Sequence, residues 1–113
     1  MNNISTYQIQ SARTMVLSTD IRSDDRHNRM IMILGLVGEA GEIAENIKKV
    51  EGHGHRLNRT ELVEELGDLM WYVAAIATNY HIDLDEVLTH NIAKLQNRYP
   101  EGFSHEASRN RAE

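Results

Sequence analysis

Apolar residues recur at three- and four-residue intervals through most of this chain, a spacing that suits helices and leaves little room for strands. Proline occurs once, at Pro100, and no Asn-Gly or similar pair joins two alternating runs, so hairpins are not expected. The spacing predicts a first helix from about Ser5 or Thr6 to Leu17, with Tyr7, Ile9 and Met15 to Leu17 as core candidates. The polar segment Asp20 to Asn28 reads as a connection. A second helix from about Arg29 to Val50 gathers Ile33, Leu36, Val37, Ala40, Ala44 and Ile47 on one face. The run EGHGHRLNR reads as a loop, and Asn58 with Glu61 has the form of a capping box opening a third helix to about Tyr80. Its core candidates are Leu62, Leu66, Leu69, Val73, Ile76 and Ala77. Asp83 with Glu86 repeats the capping pattern before a fourth helix carrying Leu84, Leu88, Ile92 and Leu95, which ends near Pro100. The expected fold is an all-α, four-helix-bundle-like domain over residues 1–100. Residues 101–113, with Phe103 as their one large apolar side chain, form a tail, loose or docked on a neighbouring subunit.

At 113 residues the chain is one domain's worth, and a monomer of this size buries only about two thirds of its unfolded surface. Dimerisation would add burial. The absence of cysteine excludes disulfides and thiolate metal sites. Twelve Lys and Arg against 17 Asp and Glu argue against a nucleic-acid binder gripping many phosphates. The first ten residues lack a basic segment and an apolar run, and no stretch approaches a membrane span. A cytoplasmic protein is expected.

Four carboxylates border the expected core. Glu39 and Glu42 lie about 60° apart on the margin of the second helix's apolar face, and Glu65 and Asp68 are placed alike on the third. If the two helices pack antiparallel, the pairs could face one another. Four such anions crowd together only around a cation, and oxygen-only ligation suits Mg²⁺ or Mn²⁺. Gly38, Gly41 and Gly67 lie beside the acids, where each costs a helix about 1 kcal/mol, so a close approach by a helix or ligand is expected there. An acid pair on one helix is most often a solvated face; two pairs, each beside glycine, weigh against that. Glu61 and Glu64 suit a first helical turn, and Glu45 could support the acids.

Asn91, Lys94 and Arg98 share an edge of the fourth helix, where the cations could hold phosphate oxygens or merely complement the helix C-terminus. His53 and His55 sit in a glycine-containing segment with no third ligand close in sequence. No histidine follows a glutamate by three, which excludes a di-iron carboxylate bundle, and P-loop and H-E-x-x-H patterns are absent.

The segments GLVGEAGEIAENIKK, EELGDLMWYVAAIA and NIAKLQNRYPEGF, in this order between Ile31 and Phe103, resemble the MazG-like family of all-α nucleoside triphosphate pyrophosphohydrolases. The resemblance implies that Glu39, Glu42, Glu65 and Asp68 bind magnesium and serve as the catalytic acids. Many members begin the first motif with two adjacent glutamates; here the earlier position holds Gly38, a form similar to the compact dCTP- and dNTP-directed branch. Lys94, Arg98 and Tyr99 match a K-x-x-x-R-Y element, which implies phosphate contacts, and Asn91 and Tyr72 match positions that face the nucleotide in relatives. Trp71 and Tyr72 could stack on a base, or could simply pack. The resemblance further implies a homodimer or a dimer of dimers with the active site partly built between subunits. The implied reaction cleaves a (d)NTP between the α and β phosphates, giving a monophosphate and pyrophosphate in nucleotide-pool house-cleaning. The rival reading is a non-enzymatic oligomeric helical interaction module.

Overall fold

A computed structural model describes residues 3–15 and 25–110. These residues are about 80% helical, and no strand occurs among them. The helices are α1 (Ile4–Ala12), α2 (Asp25–His53), α3 (Arg59–Asn79), α4 (Leu84–Arg98) and α5 (His105–Arg109). The all-α expectation therefore holds, and the expected tail contains one short helix.

α2 starts earlier than its apolar spacing suggests. Residues 25–28 are helical rather than connecting, because polarity there signals exposure and not irregular backbone; Arg26 and His27 are both exposed. The rest of the expected connection, like Val16 and Leu17, lies outside the described residues. At its other end α2 continues through His53, and Gly54, at φ +71°, makes the turn. The His55 N–H then returns to the Lys49 carbonyl at 3.1 Å. Residues 54–58 are all that separate α2 from α3, so the two run as an antiparallel hairpin.

Asn58 caps α3 as its spacing with Glu61 predicts, its Oδ1 accepting the Glu61 N–H at 3.1 Å. α3 closes with a Schellman arrangement: Ile82 N–H reaches the Ala77 carbonyl at 2.8 Å and His81 N–H reaches that of Thr78 at 3.1 Å. His81 holds the left-handed position at φ +57°, where glycine is commonest. Asp83 precedes α4 but makes no side-chain cap. Gln8 of α1 supplies that function instead. Its Oε1 accepts the Leu84 N–H at 2.7 Å, while its Nε2 donates to the Ile82 carbonyl at 2.9 Å and to Thr78 Oγ1 at 3.2 Å. One side chain thus ties α1 to the α3–α4 junction.

The core lies at that junction. Leu84 is fully buried against Ala74 and Ala77, with Ile4, Tyr7 and Val73 packed around them. Much of the expected core is not buried within one chain: Ile33 and Val37 on α2, Leu66 on α3, and Leu88, Ile92 and Leu95 on α4 are exposed. The periodicity marks faces that favour burial, and the described residues leave them exposed. The chain exposes 9028 Å² where a compact monomer of 12.9 kDa exposes about 6,300 Å².

Candidate active site

The hairpin of α2 and α3 sets the acids opposite one another. Near one end, the Arg29 guanidinium lies 5.1 Å from the centre of the Tyr80 ring. Further along, the Tyr72 ring lies directly over Gly35; a Cβ there would stand 2.2 Å from Tyr72 Cε1. Beyond the acids, Asn46 of α2 donates to Glu61 and Glu65 of α3. Between these crossings, the antiparallel register pairs Glu39 with Asp68 and Glu42 with Glu65.

Electrostatics reports the same grouping. The Glu39 carboxyl is pushed above the ordinary carboxylate range, first by desolvation, then by the negative charges of Glu42, Asp68 and Glu65, with a hydrogen bond donated by the protonated Glu39 carboxyl to Glu42 adding to the effect. Oε2 of Glu39 and Oε2 of Glu65 are both shielded from solvent with no hydrogen-bond partner. A buried carboxylate oxygen without a donor carries a desolvation cost that a bound cation would offset. Oxygen donors alone, on two rigid helices, fit a hard divalent ion. Among the described residues, no three acidic or histidine side chains stand at metal-holding spacing; closing on an ion would require the carboxylates to draw together, which their mutual repulsion opposes until positive charge is present.

A cleft of about 430 Å³ opens beside this cluster, lined by Thr14, Glu39, Asp68, Trp71 and Tyr72. Trp71 is half-buried, its Nε1 donates to Thr14 Oγ1 at 2.7 Å, and its ring meets Tyr72 edge-on at 5.0 Å between centroids. Both aromatics thus pack and also border the acids. Burial pushes the phenol of Tyr7 on α1 up, and the nearby Asp68 charge adds to the effect. On the far side of the cluster, Glu61 and Glu65 border a second cavity of about 250 Å³, which Asn46, Lys49, His55 and Arg56 also line.

The helices meet closely at Gly35; at Gly38, Gly41 or Gly67 a Cβ would find no heavy atom of the described residues beyond its own helix within 4 Å, so the helix contact expected at those three is not made there. Asn91, Lys94 and Arg98 do not join the acids within the chain. α4 leaves the core at Leu84, its Asn91 and Lys94 are exposed, and among the described residues no hydrogen bond, ion pair or shared cavity links these three to the cluster. Arg98 is half-buried with an unpartnered Nε.

Thr14, Gly35 and Asn46 escaped the sequence reading, and Tyr7 entered it only as a core candidate. Asn46 had a signal: it follows Glu42 by four and Glu39 by seven, on the same stripe of α2. Thr14 had none, since only tertiary folding brings it to Trp71, 57 residues away.

The model of the MazG nucleotide pyrophosphohydrolase domain matches residues 27–103, which span both acid helices and α4. The chain belongs to that family. Membership makes it a nucleoside triphosphate pyrophosphatase, a hydrolase of phosphoanhydride bonds. The Gene 37 protein of Mycobacterium phage L5 is 36% identical over 113 residues, covering 96% of this chain and 99% of its own. The dCTP pyrophosphatase 1 of Mus musculus is 34% identical over 80 residues, 66% of this chain and 47% of that protein. The Homo sapiens enzyme of the same name is 32% identical over 89 residues, 74% of this chain and 52% of its own. The chain therefore spans about half the length of the dCTP pyrophosphatases it matches. No solved structure matches it. Among the described residues, no helix is long and apolar enough to cross a membrane.

Proposed function

We propose that this family member hydrolyses (deoxy)nucleoside triphosphates to the monophosphate and pyrophosphate with Mg²⁺, Mn²⁺ being a possible substitute. The observation that carries the reading is the convergence of Glu42, Glu65 and Asp68 on Glu39, with two solvent-shielded carboxylate oxygens left unpaired. Glu39, Glu42, Glu65 and Asp68 would hold the ion. When bound, it would neutralise triphosphate charge and lower the pKa of the attacking water. One carboxylate of the group would accept that water's proton. Tyr72 and Trp71 line the adjoining cleft and would face the nucleoside, with stacking on the base as their contribution. Similarity to dCTP pyrophosphatases supports a pyrimidine deoxynucleotide as the first substrate to try, with pool cleansing in the cytoplasm as the role.

The phosphate contacts assigned to Asn91, Lys94 and Arg98 require a second copy, because α4 does not approach the acids of its own chain. A homodimer, or a dimer of dimers, supplies it. Ile33, Val37, Ala40, Ala44 and Ile47 follow heptad spacing on α2 and are exposed, as are Leu88, Ile92 and Leu95 on α4. Residues 1–100 would then act as one domain, with the tail of residues 101–113 docked on the neighbour. Isothermal titration of the full chain with Mg²⁺ and a non-hydrolysable dNTP tests the reading: saturable binding that Asp68→Asn abolishes is expected. Absence of binding by the wild-type chain would leave a non-enzymatic helical module.

A further inference from the structure

Among the described residues, Asn46 holds the one side-chain amide in contact with the acid cluster. It lies on the α2 stripe that carries Glu39 and Glu42, one turn beyond Glu42, and faces two carboxylates of α3. Its Nδ2 donates to Glu61 Oε1 at 3.2 Å and to Glu65 Oε1. Carboxylates only accept hydrogen bonds, so two of them facing one amide fix its orientation: the NH₂ end must point at both. Each amide hydrogen then has its own acceptor. The consequence for Glu65 is a division of labour between its oxygens. Oε1 is engaged by Asn46, and Oε2 is left unpartnered and shielded from solvent.

We infer that Asn46 is a positioning residue for metal binding: its amide clamps Glu65 through Oε1 and commits Oε2 to the ion, with Glu61 anchoring the amide from the other side. The inference rests on the proposal that the four acids hold the cation. The clamp also places one neutral donor among like charges, where a carboxylate unrestrained by any donor would swing toward solvent to escape Glu39 and Glu42. Partners that orient a ligating carboxylate commonly change metal affinity by about 10- to 100-fold when removed.

The test is Mn²⁺ titration of the full chain followed by electron paramagnetic resonance, without nucleotide. Asn46→Leu, close in volume but without donors, is expected to weaken Mn²⁺ binding at least about 10-fold while metal-free circular dichroism stays unchanged. In turnover it should lower kcat at saturating metal and substrate more than it raises KM. Asn46→Ala is expected to show the same loss and decides the matter if the leucine variant does not fold. Asn46→Gln, which keeps the N–H donors on a longer arm, should recover part of the affinity. Glu64→Gln, altering an exposed acid on α3, should leave binding untouched. Wild-type affinity in the donor-free variants, or no recovery in Asn46→Gln, would overturn the role of Asn46 while leaving the metal site standing. No Mn²⁺ binding by the wild-type chain would overturn the metal site itself, and the clamp with it.

Discussion

Gly35 and Tyr72 are in contact across the α2–α3 crossing so closely that a Cβ on Gly35 would lie 2.2 Å from Cε1, 2.4 Å from Cζ and 2.8 Å from Cδ1 of the ring. All three atoms belong to a half-buried aromatic ring, which cannot yield without opening the hairpin or turning into the cleft beside Glu39 and Asp68. Gly35→Ala is therefore expected to cost about 1–3 kcal/mol of stability, measured by urea unfolding, and to impair turnover. The same change at Gly38 meets open space, so its helix propensity should make it stabilising by up to about 1 kcal/mol. Equal effects at the two positions would contradict the crossing.

Glu39 gives the metal-free protein a pH dependence of defined sign. Its folded-state proton affinity is raised, by desolvation first and neighbouring acids second. In the window from its ordinary value of 4.5 up to the raised one, the folded state holds more protons than the unfolded state, so stability falls as pH rises through that window. Above it, Glu39→Gln removes the penalised charge, and metal-free melting temperature should rise. Turnover should drop by at least about 100-fold in the same variant. Mg²⁺ should raise the melting temperature of the wild-type chain and not that of the variant. A variant less stable than wild type at alkaline pH would contradict the electrostatic account.

The separation of α4 from the acids leads to a complementation experiment. Glu65→Gln and Arg98→Ala should each be inactive alone. When the two proteins are unfolded together and refolded as a mixture, activity should reappear, because a mixed dimer can combine intact acids from one copy with an intact α4 from the other. No recovery in a mixture shown to contain mixed dimers would mean that Arg98 acts within its own chain or not at all.

These cases also mark where sequence is informative. Helix identity and the Asn58 cap were legible because they depend on neighbours three and four residues away. The acid pairs were legible for the same reason, since i, i+3 spacing on two helices needs only antiparallel packing to converge. The close helix crossing at Gly35 was not legible because spacing on one helix does not reveal which residue the partner helix touches; that depends on the α2–α3 register, which sets Tyr72 over Gly35. The cap at Leu84 was assigned to Asp83 when Gln8, 76 residues away, provides it. Periodicity marked Ile33, Val37, Leu88 and Ile92 as apolar-face residues but could not say that the described residues leave them exposed.

His81 offers a stability test far from the cluster. It is a non-glycine residue at φ +57° in the Schellman turn after α3, and it is exposed. His81→Gly should relieve the left-handed strain and stabilise the fold by about 1 kcal/mol, read as a rise in the urea midpoint with unchanged turnover. Destabilisation would show that the imidazole makes contacts that outweigh the strain.

The central claim is the bond that is cleaved and the acids that cleave it. The most direct measurement incubates the purified chain with each dNTP and NTP in Mg²⁺ and quantifies pyrophosphate and orthophosphate separately, with a chelator control and Asp68→Asn alongside. The account predicts pyrophosphate with an equal yield of nucleoside monophosphate from some of the panel, abolished by the chelator and by the variant. Orthophosphate as the product, or pyrophosphate release that survives in Asp68→Asn, would contradict it.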